Sequence, residues 1–284
     1  RLISAELKQR GIKNKARLNV VSPGNKITLG NFKVEFFPVC HSIPDSMGLI
    51  VYTPLGIVVH SGDFKLDYTP VIGKPTELNR LAQLGAKGVL LLLSDSTYVE
   101  LSGYTPSERI VSDVLDHIMA EGPGRVIITT FASLVSRIQQ VIDAAAKHGR
   151  RVFITGRSMK EMVNIATKAG YLSIPPGTLC HFDELKNLPH NQAVLLVTGS
   201  QGEPTSALVR IANQIHGQIQ IIPGDTVVMS ATPIPGNEAL VNKTINSLFR
   251  QGARVVYEKL TQVHVHGHGS QEELKLLLSL VKPK

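Results

Sequence analysis

Three histidines alternate near the end of the chain, in the stretch QVHVHGHGS, at His264, His266 and His268. In an extended strand, alternate residues lie on one face. The spacing therefore predicts a strand that presents three imidazoles together. One alternative is a surface strand with incidental histidines. A metal site made of the three histidines alone is a further alternative, although no neighbouring Asp, Glu or Cys completes it.

The residues around these histidines favour phosphate binding. Gly267 and Gly269 allow the backbone to turn tightly, and Ser270 and Glu273 form a predicted capping box at the start of a helix. Free amides at a helix N-terminus bind phosphate well, and imidazoles beside them add donors. The stretch TGSQGEP also precedes a predicted helix and could bind phosphate in the same way.

Small polar residues, His and Asp also follow several other predicted strands. His41 follows VEFFPVC, Asp63 lies in HSGDFK after GIVV, and Asp95 lies in SDST after GVLLLL. Ligands of open α/β sheets bind beyond the carboxyl ends of the strands. His and carboxylate are common ligands of zinc and manganese, and a carboxylate can bridge two metals. The structural alternative is that Asp63 caps a turn after Gly62.

Strands and helices must hold these residues in place, and the predicted pattern of secondary structure changes along the chain. Up to about residue 104, short strands joined by Gly and Pro turns predict an antiparallel or mixed sheet. Beyond it, four or five βα units predict a parallel, three-layer α/β domain. The first helix of that part has a predicted capping box, with Thr105 as N-cap, Pro106 at N1 and Glu108 at N3.

Composition limits the class of protein. The chain has 284 residues, 43% of them hydrophobic, enough for one large domain or two ordinary ones. Cys40 and Cys180 do not suggest a disulfide framework. Residues 1–12 have a polar amphipathic helix pattern rather than that of a signal peptide, and no apolar run could span a bilayer. We therefore expect a cytoplasmic protein. Its net charge of +8 favours a polyanionic partner.

Many short motifs, taken together and in order, resemble one family over nearly the whole chain. They are HSIPDS, GDFKLDYTP, LLSDST, GYTPSE, TFAS, RIQQVIDAA, GRSM, TGSQGEP, SATPIPGNE and VHVHGHGSQEELKLLLSLVKPK. The sequence resembles ribonuclease J, the bacterial and archaeal branch of the metallo-β-lactamase, β-CASP nucleases. The resemblance implies an α/β fold, in which a partial metallo-β-lactamase αββα sandwich carries an inserted parallel β-CASP domain. The expected ranges are 1–103 and 251–284 for the sandwich and 104–250 for the insertion.

The resemblance also implies an activity and its cofactors. Members of this family hydrolyse single-stranded RNA in processing and decay, including rRNA processing, both as 5′–3′ exonucleases and as endonucleases. They use two divalent metal ions, usually zinc, with manganese or magnesium also invoked, and form homo-oligomers. His41 matches a ligand histidine and Asp63 the bridging aspartate. Asp95 matches the first β-CASP acidic motif, and His268 the histidine that helps to protonate the leaving oxygen.

Further positions match the family's substrate contacts. The loop at 264–268, made of His264, Val265, His266, Gly267 and His268, matches the loop that holds the substrate phosphate. Ser133, in TFAS, and Ser200, in TGSQGEP, are also expected to bind substrate or phosphate.

The sequence departs from the family pattern at several points. The hallmark His-x-His-x-Asp-His would precede residue 1, and another ligand histidine would follow Lys284, so we expect this chain alone to be inactive. His266 stands where the family has a hydroxyl residue. Leu134 and Ser136 replace Asn and His, which puts contacts to base or ribose in doubt. The alternatives are a fragment that only binds RNA, or a DNA-directed nuclease of the same superfamily.

Overall fold

The computed structural model describes residues 7, 11–12 and 17–284, so the helix predicted for residues 1–12 lies almost wholly outside the described residues. The chain forms two units. The first contains the described residues up to Ser107 together with His266–Lys284, and the second is Glu108–Val265. Among the helices of the described residues, none is both long and apolar enough to cross a lipid bilayer.

The regular elements follow one another in this order: β1 (Lys26–Leu29), β2 (Phe32–Pro38), β3 (Met47–Thr53), β4 (Gly56–His60), α1 (Leu78–Lys87), β5 (Val89–Leu93), α2 (Arg109–Glu121), β6 (Val126–Thr129), α3 (Val135–Lys147), β7 (Arg151–Ile154), α4 (Arg157–Ala169), β8 (Ala193–Val197), α5 (Ala207–Ala212), β9 (Thr226–Met229), α6 (Glu238–Arg250), β10 (Arg254–Tyr257) and α7 (Gln271–Val281). Two short 3₁₀ helices, Phe182–Asn187 and His190–Gln192, precede β8.

The first unit is a mixed sheet with the strand order β1-β2-β3-β4-β5. Neighbouring strands are antiparallel except β4 and β5, which are parallel. Helices α1 and α7 contact each other and bury their apolar faces in the core of this unit. An added Cβ at Gly85 of α1 would collide with the carbonyl oxygen of Leu280 in α7, so glycine permits this close helix packing.

The second unit is a parallel sheet with the strand order β10-β9-β6-β8-β7. Every residue of β6, β8 and β9 is buried. Continuous apolar runs such as AVLLV are typical of parallel strands covered on both faces. The predicted α/β fold with two sheets is confirmed.

Two boundaries differ from the sequence prediction. Residues 251–284 were expected to return to the first domain, but β10 pairs with β9 in the second sheet, and the second unit extends to Val265. The run RVVY supplies buried valines that suit a parallel strand. Helix α2 begins at Arg109 rather than just after Thr105, because the amide and hydroxyl of Thr105 bond to residues of the first unit.

One buried arginine connects segments near both ends of the second unit. The guanidinium of Arg137 is fully buried and donates to the carboxylate of Glu108 at 2.7 Å and to the carbonyl of Val263 at 2.6 Å. It also donates to the hydroxyl of Ser230 and to the side-chain oxygen of Gln140. A buried charge must be paired and hydrogen-bonded, so these groups depend on one another.

We predict that Arg137→Met lowers the free energy of unfolding by about 3–5 kcal/mol, because it removes a buried guanidinium that pairs with the buried carboxylate of Glu108. The matched control is Arg151→Met, which removes an ion pair with Glu184 in which both side chains are about half exposed. That change should cost no more than about 1 kcal/mol. Urea unfolding measures both, and equal losses in the two variants would contradict the assigned role.

Candidate active site

Three strands of the first unit bring His41, Asp63 and Asp95 to one edge of the sheet. Strands β2 and β4 are each antiparallel to β3, and β5 is parallel to β4, so β2, β4 and β5 run in the same direction. Their carboxyl ends therefore meet at the same edge. His41 follows β2, Asp63 follows β4 and Asp95 follows β5.

Hydrogen bonds join the loops that follow these strands. The amide of Lys65 donates to the carbonyl of Cys40 at 2.8 Å, which fixes the loop of Asp63 beside His41. The amide of Asp95 donates to the hydroxyl of Ser61 at 2.9 Å. Each loop is thus held by its neighbour rather than by its own turn alone.

The segment before α7 brings the fourth side chain, His268, to this edge. The amide of Gly269 donates to the carbonyl of Phe64 at 2.7 Å. His41 Nδ1 lies 2.8 Å from the carbonyl oxygen of Gly267. An added Cβ at Gly267 would collide with the hydroxyl of Ser42 and lie 2.8 Å from His41 Nδ1. Only glycine allows this close approach. In the sequence, this glycine is the residue between His266 and His268.

His41, Asp63 and His268 form a cluster that could hold a metal ion. Each offers one ligand atom, and these atoms all lie within 4.8 Å of one another. His41 Nε2 lies 3.8 Å from Asp63 Oδ2, and the rings of His41 and His268 are 5.0 Å apart. Two imidazoles and a carboxylate are a donor set that suits zinc or manganese.

The state of His41 suits a ligand. Its Nδ1 faces a carbonyl, which only accepts, so Nδ1 carries the hydrogen and the lone pair of Nε2 faces the cluster. Burial lowers the pKa of His41 below its ordinary value, and the nearby His268 lowers it further against the opposing contacts with Gly267 and Asp63. The neutral imidazole is the form that binds metals.

Asp95 and His268 form a close carboxylate–imidazole pair. His268 Nδ1 lies 2.7 Å from Asp95 Oδ2, and the side chain of Asp95 is only 5% exposed. Burial by itself would raise the pKa of Asp95, but hydrogen bonds from Thr97 and His268 outweigh it and lower the pKa below its ordinary value. The carboxylate is therefore ionised and accepts a hydrogen bond from Nδ1–H of His268, which leaves Nε2 of His268 available for chemistry.

The histidine segment departs from the predicted strand but keeps the predicted periodicity. Residues 262–266 belong to no strand of either sheet. Along this segment, the residues Val263, Val265 and Gly267 are buried, whereas the three histidines between and after them are partly exposed. The alternating burial thus occurs without sheet pairing.

His266, where the resemblance leads one to expect a hydroxyl residue, packs against Tyr98 with the two ring centres 4.0 Å apart and the rings tilted by 33°. Burial lowers the pKa of His266 below its ordinary value and outweighs the opposing hydrogen bond with the backbone of His268, while the charge of Lys65 lowers the pKa further. The ring is therefore favoured in its neutral form.

The remaining predicted substrate contacts lie in the second unit. Ser133 is exposed and precedes α3, whereas Ser200 follows β8 and is 3% exposed. His264 is partly exposed and Val265 is buried. Their roles in phosphate binding stay predictions.

Leu134 and Ser136, which replace polar residues of the family, are both buried. Leu134 precedes α3 and Ser136 lies in its first turn. Because their side chains are covered, they are poorly placed to contact a base or a ribose.

Thr105 and Glu273, which the sequence analysis predicted only as capping residues of helices, contact the segments that carry the candidate site residues. The hydroxyl of Thr105 donates to the carbonyl of His268 at 2.8 Å. The carboxylate of Glu273 accepts from Ser270 as the capping box predicts, and also from Leu66 and Thr105. The capping motif is the only signal of Glu273 in the sequence, and it does not reveal partners 168 and 207 residues away.

Comparison with known proteins gives consistent relatives. Residues 123–248, within the second unit, match the family described as ribonuclease J, beta-CASP domain. The whole chain is 48% identical to ribonuclease J of Thermus thermophilus, covering 50% of that protein. It is also 48% identical over its whole length to ribonuclease J of Synechocystis and 44% identical to ribonuclease J2 of Bacillus subtilis, covering 44% and 51% of those proteins. The chain thus spans about half the length of these relatives.

A solved structure of a protein of unknown function from Enterococcus faecalis shares the fold. It has a TM-score of 0.62 at 16% identity and covers 95% of this chain and 61% of its own. The match of the second unit to the β-CASP domain, with 40–48% identity to several ribonucleases J along the whole chain, shows that this chain belongs to the ribonuclease J family.

Proposed function

We propose that this chain contributes residues to the catalytic centre of a metal-dependent ribonuclease. The substrate is single-stranded RNA, cut from the 5′ end and internally, in RNA processing and decay that includes rRNA processing. The observation that carries the proposal is the convergence of His41, Asp63 and the Asp95–His268 pair at one edge of the first sheet. Membership of the ribonuclease J family supports the substrate class.

Of the three residues in the cluster, His41 and Asp63 would hold divalent metal, whereas His268, paired with Asp95, would act as proton donor rather than as a ligand. The resemblance implies two ions, zinc by preference with manganese or magnesium as alternatives. The donor atoms of His41 and Asp63 fit such an ion, since Nε2 of His41 presents its lone pair beside the carboxylate of Asp63. Divalent metal at this place would supply Lewis acidity and an activated water for phosphodiester hydrolysis. Asp63 would orient the attacking group from its exposed position.

His268 would donate a proton to the leaving 3′ oxygen. Its Nδ1 is occupied by Asp95, so the ring is fixed in orientation with Nε2 as its reactive nitrogen. The ionised carboxylate of Asp95 stabilises the protonated imidazole, as an aspartate does for the histidine of a catalytic triad.

Substrate binding would use the loop at 264–268 together with Ser133 and Ser200. The net charge of +8 favours a polyanion. Within this loop, the ring of His266 packs against the ring of Tyr98. Homo-oligomer formation rests on the resemblance alone, and a cytoplasmic location is proposed from the sequence composition.

We predict that Asp63→Ala, introduced into the complete natural protein that contains this chain, lowers RNA cleavage at least about 100-fold, because metal-assisted stabilisation is worth several kcal/mol. Binding of the same RNA, measured by fluorescence anisotropy, should change little. The control Asp113→Ala removes an exposed carboxylate on α2 and should leave both unchanged. Cleavage at the normal rate by Asp63→Ala would exclude its assigned role. Efficient cutting of single-stranded DNA by the unmutated protein would favour the DNA-directed alternative.

We also predict that His268→Ala slows turnover about 10²–10⁴-fold, the range for loss of a general acid, while the metal content is retained. His117→Ala, which alters a histidine with 66% side-chain exposure on α2, is the control. Rates from single-turnover assays and metal content from elemental analysis decide the role. A metal content that falls together with the rate would show that His268 is a ligand rather than the proton donor. A protein that binds RNA without any cleavage or metal would support the binding-module alternative.

A further inference from the structure

The carboxylate of Glu273 is fully buried in the first unit. Its Oε1 accepts the amide of Leu66 at 2.6 Å. Its Oε2 accepts the amides of Thr105 and Ser270, each at 2.7 Å. Three backbone donors and the N-terminus of α7 thus compensate a charge that would otherwise be costly to bury.

Each of these amides belongs to a segment next to a candidate catalytic residue. Leu66 comes three residues after Asp63, and Ser270 comes two residues after His268. Thr105 belongs to the stretch that follows Asp95, and its hydroxyl also donates to the carbonyl of His268 at 2.8 Å. The single carboxylate therefore fixes the relative positions of segments that are otherwise separate in the sequence.

The helix that carries Glu273 is itself held in place by buried residues. Leu274, Leu277 and Val281 of α7 are buried in the core of the first unit. Glu273 lies in the first turn of the same helix, so its carboxylate cannot shift without moving packed residues.

We propose that Glu273, together with Thr105, is a positioning residue that holds Asp63 and His268 in their reactive arrangement. This inference rests on the proposed function, because the reaction it serves is the hydrolysis assigned above. Neither side chain is a member of the metal cluster or of the Asp95–His268 pair. Both act through the backbone of the segments that carry those groups.

Glu273→Gln is the sharpest test because it keeps the size of the side chain. A carboxamide has one oxygen, which can still accept from Thr105 and Ser270 at the helix start. Its NH₂ group would then face the amide of Leu66, donor against donor. The variant should therefore release the Asp63 loop while α7 stays capped.

Glu272→Gln is the matched control. Glu272 is the neighbouring carboxylate in the same helix turn, is 39% exposed and pairs with Lys275 at 2.7 Å. In the complete natural protein, Glu273→Gln should lower kcat for RNA about 10–100-fold, the usual range for residues that support ligands, with KM within about twofold. Amide hydrogen exchange in the peptide that contains Leu66 should speed up at a temperature where the fold is intact. Glu272→Gln should change neither.

A milder pair of variants covers the case in which Glu273→Gln does not fold. Thr105→Val keeps the shape of the side chain but removes the donor to the carbonyl of His268, and should lower kcat about 2–10-fold. Thr105→Ser restores the hydroxyl and should restore kcat, which loss of packing alone would not explain.

The outcomes separate the inference from the proposed function. Unchanged kcat and unchanged exchange at Leu66 in Glu273→Gln would overturn the inference, as would equal kcat in Thr105→Val and the unmutated protein. If the unmutated protein does not cleave RNA, the proposed function fails, and the exchange measurement still decides whether Glu273 holds the loop.

Discussion

The arrangement of the candidate site depends on the buried carboxylate of Glu273. A buried charge must be satisfied by donors, and here the donors are the amides of Leu66, Thr105 and Ser270. To satisfy this one carboxylate, the three segments that contain these amides must be held close to it. Because those segments carry or adjoin the candidate catalytic residues, the same buried carboxylate contributes to the stability of the first unit and to the geometry of the candidate site.

The direction of the strands explains why the reactive groups start at one place. Strands β2, β4 and β5 end at the same edge, so His41, Asp63 and Asp95 need only short loops to approach one another. His268 arrives from a segment that no sheet holds, and close contact at Gly267 brings it against His41. The sheet sets the approximate positions of these side chains, and hydrogen bonds between the loops fix their final distances.

Local patterns predicted much of this from the sequence. The βα rhythm indicated the parallel sheet, and Ser270 with Glu273 indicated the start of α7. The alternation of the three histidines predicted a strand, which the structure does not form there. Local patterns could not predict hydrogen bonds between residues that are far apart in the sequence. Thr105 has the features of a helix cap, yet its donors are used by Glu273 and His268, because tertiary bonds outcompeted the local one. The Asp95–His268 pair joins residues 173 positions apart, and only the family resemblance suggested that both matter.

A double-mutant cycle on Asp95 and His268 tests most directly whether these side chains act as one catalytic unit in RNA cleavage. Single-turnover rates of the complete natural protein would be measured for Asp95→Asn, for His268→Ala and for the two combined. If Asp95 acts through His268, adding Asp95→Asn to His268→Ala costs no further rate, so the effects are strongly non-additive. If the two losses multiply, Asp95 has a separate role, and the paired arrangement is not the source of the activity.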